Sequence, residues 1–478
     1  MKIDLKRDAR QEICTEKWKQ NKGVGAIDAC PRFGKTNVGL KIIAKNRAKS
    51  PDSKIVILTP SEVIQKHWEN HISDVRVLTS HKAKNIIKDL TDKTIDILIV
   101  DELHKFTSDD NVSLLDTLCQ HSKFRLALTG TYPHSSNKLK SLFPVVDTIT
   151  EEEARREGWI SEYIEYNIPV SLTDEEKTRY TKFSNLIAET LELFKGKAKL
   201  INGDTKLFDD DFDLIMSCYV GKKPKYGTIK YIPGHAIREA LAKLMGWTRD
   251  LDLSDSHNKE RDIYWRPENI YERCKLFRQF ISSRNEILIN NTAKLNLIKE
   301  IIEYNDVPTI IFNESIEFVN TIADALGRKA IAYHSKIKSR PMLDDDGNIL
   351  RYSTGKVKMF GAIRLKEAAI EGIRSNKYKY LVTAKSLDEG LDLPQLQQVI
   401  ITAGSTNPVQ QLQRSARGKT LDTGNSLKLT HIFNLYVDNF KDVIGTTIIS
   451  RDKSKLITRQ KTYTHSVKWL NNLSDLTL

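Results

Sequence analysis

The sequence predicts an α/β fold, with two doubly wound parallel-sheet lobes and a mostly helical insertion between them. Short apolar, β-branched runs without polar alternation recur in two separate regions of the chain. Such runs are typical of strands that are buried on both faces of a parallel sheet. A chain of 478 residues is also too long for one compact core. We therefore expect two α/β domains joined by a further element.

Each region supplies three strand candidates, separated by helix-like segments. They are 54–59 (KIVILT), 95–100 (IDILIV) and 125–129 (RLALT) in the first region, and 308–313 (PTIIFN), 379–384 (KYLVTA) and 398–403 (QVIITA) in the second. Between the two regions the pattern becomes helical, with a capped helix start at 171–176 (SLTDEE). A segment rich in Gly, Lys, Pro and Tyr at 221–234 predicts a loop or hairpin.

These patterns divide the chain into four parts. We place a first lobe at 1–165, a mostly helical insertion at 166–290, a second lobe at 291–440 and a basic C-terminal extension at 441–478. The insertion is either an independent domain or an extension packed on a lobe. The extension mixes basic and aromatic residues, which suits single-strand binding, but a terminal helix packed on the second lobe explains it equally well.

Composition and charge favour a polyanionic partner. Lys and Arg number 75 against 62 Asp and Glu, which gives a net charge of +13. Neutralising phosphates with such side chains releases counterions, so nucleic acid is the first candidate, and a basic surface without a single target is the alternative. The five cysteines form no CxxC pair, the first residues lack the apolar stretch expected of a signal peptide, and no uninterrupted apolar run approaches membrane-spanning length. We expect a cytoplasmic protein in a reducing compartment, with no membrane partner.

The segment 29–36 (ACPRFGKT) predicts a phosphate-binding loop, with Ala29 in place of the first glycine. Backbone N–H groups of Arg32, Phe33 and Gly34, at the start of a helix, would cradle phosphates. Lys35 would reach the β- and γ-phosphates of ATP, and the Thr36 hydroxyl would hold Mg²⁺. The alternative is a chance Gly-Lys-Thr on an ordinary loop.

A carboxylate pair follows the strand at 95–100. Asp101 would bind magnesium, and Glu102 would orient and deprotonate the attacking water. A helix cap with a solvated charge is the alternative. A third element, 129–131 (TGT), follows the strand at 125–129 and would link the phosphate site to the strand-binding face, unless it is a plain turn.

The second half of the chain carries a further set of polar residues. Thr383 ends a strand candidate, and Gly390 and Asp392 lie in the loop beyond it. Arg414 and Arg417 are three residues apart, which predicts one helical face from which guanidinium groups could reach a γ-phosphate. Judged from the sequence alone, two arginines at this spacing on a helix are more often exposed to solvent at the surface.

In this order and spacing the segments resemble the motor motifs of superfamily 2 helicases. PRFGKT resembles motif I, LTPSEVIQKHW motif Ia, DELH motif II, LTGT motif III, IIFNES motif IV, LDEGLDLP motif V and QRSAR motif VI. The resemblance implies two RecA-like lobes with ATP and Mg²⁺ between them and nucleic acid lying across both. Gln11 is similar to the glutamine with which the family reads adenine, and Gly390 and Asp392 of motif V would join the ATP site.

The resemblance also assigns a set of contacts to the sugar–phosphate backbone. Those side chains and backbone groups carry little sequence information. The matching positions are Thr59, Pro60, Ser61, Ser80, Asn313 and Thr383.

One position departs from the family. Motif VI usually ends in a further arginine, where this chain has Thr420. Arg417 therefore becomes the first candidate for the arginine finger, with Arg414 or Lys419 as helpers. This departure predicts weaker stabilisation of the transition state.

LTGT and DELH look closer to DNA translocases, restriction motors and bacteriophage branch-migration helicases of the UvsW kind than to RNA-specific DEAD-box proteins. The first hypothesis is a DNA-dependent ATPase that moves along and remodels forked or branched DNA, with other replication or recombination proteins as candidate partners. The alternatives are an RNA helicase or RNA-release factor, a double-stranded DNA translocase without strand separation, and a non-catalytic switch.

Overall fold

The computed structural model describes residues 5–476, apart from 87–94, 204–205, 224–230, 343–348, 385–392, 405–406, 423–424, 426, 439–441, 445–446, 462 and 464. The chain forms two compact units. One comprises Met1–Val170 together with Lys294–Leu478, and the other comprises Ser171–Ala293. The first unit contains two large β-sheets, and the second is helical.

The first sheet has six strands, all parallel, in the order β3-β2-β4-β5-β1-β6. Its strands are β1 Val24–Ala29, β2 Ile55–Thr59, β3 Arg76–Thr79, β4 Ile95–Asp101, β5 Ser122–Thr129 and β6 Val145–Ile149. Every residue of β2 is buried, as expected for a strand that is covered on both faces. The helices around this sheet are α1 Leu5–Gln20, α2 Lys35–Arg47, α3 Glu62–Glu69, α4 Ser80–Ile86, α5 Asp109–Gln120, α6 Asn137–Leu142 and α7 Glu151–Arg156.

The helical unit packs around an apolar core that includes Phe194, Leu214, Leu241 and Phe277. Its helices are α8 Asp174–Leu193, α9 Lys197–Asn202, α10 Asp211–Val220, α11 Gly234–Leu244, α12 Ser256–Trp265 and α13 Pro267–Ile289. The predicted capped start is confirmed, because the Thr173 and Glu176 side chains form a reciprocal capping box at α8. Lys222 pairs with Ile232 as an antiparallel bridge, and the intervening 224–230 lie outside the described residues.

The second half of the chain contributes most of a seven-stranded parallel sheet, in the order β17-β7-β14-β13-β8-β12-β9. Two short antiparallel pairs, β10–β11 and β15–β16, accompany it. The strands are β7 Glu162–Val170, β8 Thr309–Asn313, β9 Ala330–Tyr333, β10 Arg340–Pro341, β11 Met359–Phe360, β12 Tyr380–Ala384, β13 Gln398–Ile401, β14 Leu429–Val437, β15 Asp442–Ile444, β16 Thr447–Ile449 and β17 Lys468–Trp469. The helices are α14 Thr292–Tyr304, α15 Ile316–Leu326, α16 Ala362–Arg374, α17 Pro408–Ser415 and α18 Arg451–Gln460, and single 3₁₀ turns lie at Leu103–Lys105, Gly327–Lys329 and Leu473–Asp475.

Two of these strands lie far along the chain from their sheet neighbours. β7 precedes the helical unit, yet it pairs with β14 along its whole length. β17 comes from the C-terminal extension and pairs with β7. Residues 162–165, placed in the first lobe by sequence, thus belong to the second sheet, and the extension adds to the same sheet.

The predicted fold class is confirmed: two parallel α/β sheets and a mostly helical insertion. All neighbouring strands of each large sheet run in the same direction, so their carboxyl ends meet at one edge. Among the described residues, no helix has the length and apolarity needed to span a membrane. That part of the chain also holds no group of three or more His, Cys, Asp or Glu side chains suited to a metal ion.

Candidate nucleotide site

The predicted phosphate loop connects β1 to α2 at the carboxyl edge of the first sheet. Gly34 caps α2 with a left-handed backbone, at φ 93°, and Arg32 is also left-handed, at φ 73°. A side chain at position 34 would meet the Gln11 amide nitrogen at 2.7 Å, so glycine is required by both backbone conformation and space. The loop therefore wraps the amino end of α2, where unpaired N–H groups and the helix dipole favour an anion.

Contacts from three segments hold this loop in place. Gln11 Nε2 donates to the Phe33 carbonyl at 3.0 Å, and the Cys30 N–H donates to the Ile149 carbonyl at 2.9 Å. The Phe33 ring packs against Trp159, with 5.5 Å between centroids. Gln11 is only 2% exposed, so in this structure its carboxamide supports the loop. Its role in adenine binding stays a prediction.

Asp101 ends β4 beside the loop, and it is 6% exposed. Trp68 Nε1 donates to Asp101 Oδ2 at 2.8 Å, and the Glu102 N–H donates to Oδ1 at 2.9 Å. Burial, and then the charge of Glu102, raises the pKa of the Asp101 carboxyl, whereas the Trp68 hydrogen bond and the charge of Lys35 oppose the shift. A buried carboxyl that ionises reluctantly without a cation fits a magnesium ligand, and the Thr36 hydroxyl is a second oxygen suited to that ion.

Glu102 adopts an uncommon conformation, since its φ of 52° is left-handed for a residue that is not glycine. Such strain is typical of functional sites. His104 Nδ1 lies 3.3 Å from Glu102 Oε2 and 3.2 Å from Thr129 Oγ1. His104 thus connects the carboxylate predicted to activate water with the end of β5.

The third predicted segment lies against the same site. Thr129 Oγ1 donates to the Thr131 carbonyl at 3.0 Å. A side chain at Gly130 would come within 3.3 Å of Lys35 Nζ, and Lys35 Nζ itself donates to the Ala29 carbonyl at 3.3 Å. The structure therefore brings together three sequence-distant segments: the phosphate loop, the carboxylate pair and residues 129–131.

The two predicted motif VI arginines occupy different environments. Arg414 lies in α17 and is fully buried; its Nη1 donates to the Ala403 carbonyl at 2.9 Å, and its guanidinium lies 5.5 Å from the Phe312 ring centroid. Arg417 is 9% exposed and follows the end of α17 at Ser415, so the two do not share one helical face as predicted. The helix stops after two turns and the chain continues in tight turns. Both catalytic assignments stay predictions.

The residues predicted to contact nucleic acid differ in how deeply they are buried. Pro60, Ser61 and Ser80 are half-buried, and Ser61 caps α3. Thr59, Asn313 and Thr383 are fully buried.

Two of the buried members form hydrogen bonds within their own sheets. Thr59 Oγ1 lies 3.3 Å from the Leu78 carbonyl, and Asn313 Nδ2 donates to Thr402 Oγ1 at 2.6 Å. Their roles toward nucleic acid stay predictions. Gly390 and Asp392, predicted at the ATP site, lie outside the described residues.

Sequence patterns missed several side chains that complete the site. Trp68 appears within a motif Ia segment without an assigned role, although its spacing of four from Ile64 places both on the buried face of α3. Trp159, which packs against Phe33, and Glu151, which pairs with Lys419, have no local signature, because both contacts depend on tertiary packing. Only the fold could locate them.

Comparison with known proteins gives a family match in the second half of the chain. Residues 293–419 match the Helicase conserved C-terminal domain. This range begins in the first turn of α14 and ends at Lys419. It includes Asn313, Thr383, Arg414 and Arg417. The region is thus similar to a helicase C-terminal domain.

Individual proteins of similar sequence or structure are also found. The chain is 22% identical over 439 residues to the DNA 3'-5' translocase XPB2 of Sulfurisphaera tokodaii, covering 87% of this chain and 78% of that protein. The Pyrococcus furiosus Hef helicase domain is similar at 14% identity, with a TM-score of 0.48, covering 95% of this chain and 98% of that one. A fragment described as an HsdR subunit of a type I restriction enzyme from Vibrio vulnificus YJ016 is similar at 12% identity, with a TM-score of 0.47, over 89% of this chain. This chain spans 63% of that fragment's length.

Together, the sequence comparisons support a nucleic-acid helicase or translocase of superfamily 2. They leave the bacteriophage branch-migration subgroup as a prediction.

Proposed function

We propose that this chain is a DNA-dependent ATPase that uses ATP hydrolysis to move along DNA and to remodel or unwind forked or branched forms. The observation that carries the proposal is the meeting of Lys35, the Asp101–Glu102 pair and residues 129–131 at one edge of the first sheet. The helicase C-terminal domain at 293–419 and the similarity to a protein named as a DNA translocase support it further.

Each side chain of the site has a proposed task. The phosphate loop and Lys35 bind the triphosphate of ATP, and Thr36 and Asp101 hold the Mg²⁺ that neutralises charge on the phosphates. Glu102 orients a water molecule and accepts its proton. Arg417 stabilises the negative charge that develops on the transferred phosphoryl group.

His104 has a proposed coupling role. Because it lies within hydrogen-bond range of both Glu102 and Thr129, a shift of residues 129–131 would move the carboxylate that activates water. Nucleic acid bound near the sheet edge could in this way regulate hydrolysis.

The helical insertion has a proposed role as a wedge or clamp on DNA. Its predicted basic loop at 221–230 lies mostly outside the described residues. Arg238 and Arg278, which lie next to tyrosine rings on the same unit, support a phosphate-binding surface there. Deleting the loop should damage unwinding more than ATP hydrolysis, and equal loss of both would count against this role.

The test is ATP hydrolysis by the wild type and by Lys35→Ala, each with single-stranded, duplex and branched DNA and with RNA. Stimulation by DNA, greatest with branched forms and lost in Lys35→Ala, is the expected result. Stimulation by duplex DNA without strand separation would favour a translocase, and stimulation by RNA alone would favour an RNA helicase or release factor. No hydrolysis with any of them would leave the non-catalytic switch.

A further inference from the structure

The end of motif VI contains a buried lysine next to the position where an arginine is missing. Thr420 occupies the arginine position, and Lys419 precedes it. Lys419 is 2% exposed, forms an ion pair with Glu151, and places its ammonium 3.8 Å from the centroid of the Tyr163 ring. The Tyr163 hydroxyl also hydrogen-bonds to Glu151. A cation is therefore held in a defined place by two partners from outside motif VI.

The ion pair lies close to the phosphate loop. Glu151 begins α7 two residues after Ile149, whose carbonyl accepts the hydrogen bond from the Cys30 N–H. Burial raises the pKa of the Cys30 thiol; the charge of Glu151 adds to this shift, and the charges of Lys35 and Lys419 oppose it. Both members of the ion pair therefore lie near Cys30, the second residue of the loop.

The surrounding backbone fixes residues 419 and 420 against the first half of the chain. The Ser161 N–H donates to the Lys419 carbonyl at 2.9 Å, and Ser161 Oγ donates to the Thr420 carbonyl at 2.8 Å. Trp159, two residues earlier, packs against Phe33 of the phosphate loop. The segment 159–163 therefore contacts the loop on one side and the end of motif VI on the other.

Glu151 remains a charged partner in this position. Burial alone would raise the pKa of its carboxyl, but the charge and hydrogen bond of Lys419, with the Tyr163 hydroxyl, lower it overall. Lys419 is thus paired with a carboxylate that carries one negative charge. A bound triphosphate would carry several and would compete for the ammonium.

We propose that Lys419 supplies the positive charge that position 420 lacks, and that Glu151 and Tyr163 hold it beside the phosphate loop until a nucleotide attracts it. This inference rests on the proposed ATPase function. Lys419 then acts as a second cation next to Arg417 during hydrolysis. The alternative is a purely structural ion pair that stabilises the fold and never meets the nucleotide.

The two possibilities differ in what repairs the loss of Lys419. Lys419→Met leaves Glu151 buried and unpaired, which destabilises the fold in either case. Adding Glu151→Gln removes that unpaired charge and should restore the melting temperature in either case. If the ion pair were only structural, the double variant would also regain ATP hydrolysis.

The experiment measures kcat and KM for ATP, with saturating DNA, together with the melting temperature of each variant. We expect Lys419→Met to lower kcat by about 100-fold, as when one preorganised donor to a transition state is lost. Lys419→Met/Glu151→Gln should recover the melting temperature but not kcat. Lys419→Arg should keep most of the wild-type kcat, because the positive charge stays at position 419. The double variant should recover most of kcat when Thr420→Arg is added, because this change places a positive charge at position 420.

Two outcomes would overturn the inference, and they are distinguishable. A wild type that hydrolyses ATP in a Lys35-dependent manner, with a Lys419→Met/Glu151→Gln variant of full kcat, would show that the ion pair is structural. A wild type that hydrolyses no ATP would overturn the proposed function and this inference together.

Discussion

Asp101 is a carboxyl group whose environment disfavours its charged form. Because burial and Glu102 raise its pKa above the ordinary 3.8, the folded protein keeps a proton over a pH range in which the unfolded chain has lost it. The contribution of Asp101 to stability is therefore greatest below the unfolded pKa. It declines as pH rises toward the folded pKa and stays constant above that value.

Asp101→Asn should abolish ATP hydrolysis and remove this decline. The difference in melting temperature, wild type minus variant, is expected to fall as pH rises from about 4 to about 8 without nucleotide or Mg²⁺, since the other titrating groups are common to both proteins. Thermal denaturation across that range checks the prediction. A difference that does not change with pH would show that Asp101 ionises as freely in the folded chain as in the unfolded one.

Gly34 allows the phosphate loop to adopt its present shape. Gly34→Ala places a methyl group 2.7 Å from Gln11 Nε2 and forces a side chain onto a left-handed backbone, which costs about 1–3 kcal/mol of strain. We expect ATP affinity to fall at least tenfold, as measured by fluorescent nucleotide binding. Gly196→Ala is the control, since Gly196 is also left-handed but nothing lies within 4 Å of an added Cβ. Equal affinity of the Gly34 variant and the wild type would remove the loop from the site.

At the scale of elements, a buried polar network ties the C-terminal extension to the second sheet. Glu165 on β7 is 1% exposed and accepts hydrogen bonds from Asn434 Nδ2 at 2.8 Å and Tyr463 OH at 3.2 Å. Its Oε2 lies 2.9 Å from His465 Nε2. Asn434 in turn accepts a 2.6 Å hydrogen bond from Gln411 of α17, so the network reaches the motif VI helix.

Glu165→Ala should destabilise the protein by roughly 2–5 kcal/mol, because several buried donors would lose their acceptor together. Glu162→Ala on the same strand is the matched control, since Glu162 is exposed and its loss should change stability by no more than about 0.5 kcal/mol. Urea denaturation followed by circular dichroism measures both. Equal stability of the two variants would show that water replaces the carboxylate readily.

The same elements show why sequence analysis found some strands and missed others. β2, β8 and β13 consist of residues that are buried on both faces, and their apolar runs marked them. Sequence analysis missed β14 because this strand buries the polar residue Asn434. It missed β7 because β7 pairs with β14, and the paired residues Asn167 and Asn434 are 267 positions apart in the chain. A polar residue buried by a distant partner leaves no local pattern.

Sequence analysis likewise predicted some parts of the candidate site and missed others. The phosphate loop and the Asp101–Glu102 pair were predicted because each is a continuous motif with a known chemical task. The support of the loop by Gln11 and the Lys419–Glu151 ion pair were not predicted, since they join segments that only the folded chain brings together. The helical face assigned to Arg414 and Arg417 was wrong because α17 ends between them.

At the scale of the whole molecule, the net charge of +13 leaves basic side chains without acidic partners, and the helical unit holds some of them in fixed positions. Tyr219 and Tyr271 stack with 5.6 Å between centroids. Arg278 lies 5.3 Å from the Tyr219 centroid and Arg238 lies 4.8 Å from that of Tyr271. Within the described part of the chain, neither arginine pairs with a carboxylate. Arg238 Nη1 donates to the Cys218 carbonyl at 2.6 Å. Guanidinium groups held next to aromatic rings keep further N–H donors that suit phosphate oxygens.

Arg238→Ala/Arg278→Ala should therefore weaken DNA binding while leaving ATP hydrolysis without DNA unchanged. If each arginine neutralises one phosphate, the slope of log K against log salt should become shallower by roughly 1.5–2, because fewer counterions are released. Arg266→Ala is the control, since Arg266 already pairs with Asp262 at 2.7 Å and should alter the slope little. Fluorescence anisotropy with a forked DNA from low to moderate salt measures all three proteins. An unchanged slope in the double variant would place the DNA elsewhere and would leave the insertion without a part in binding.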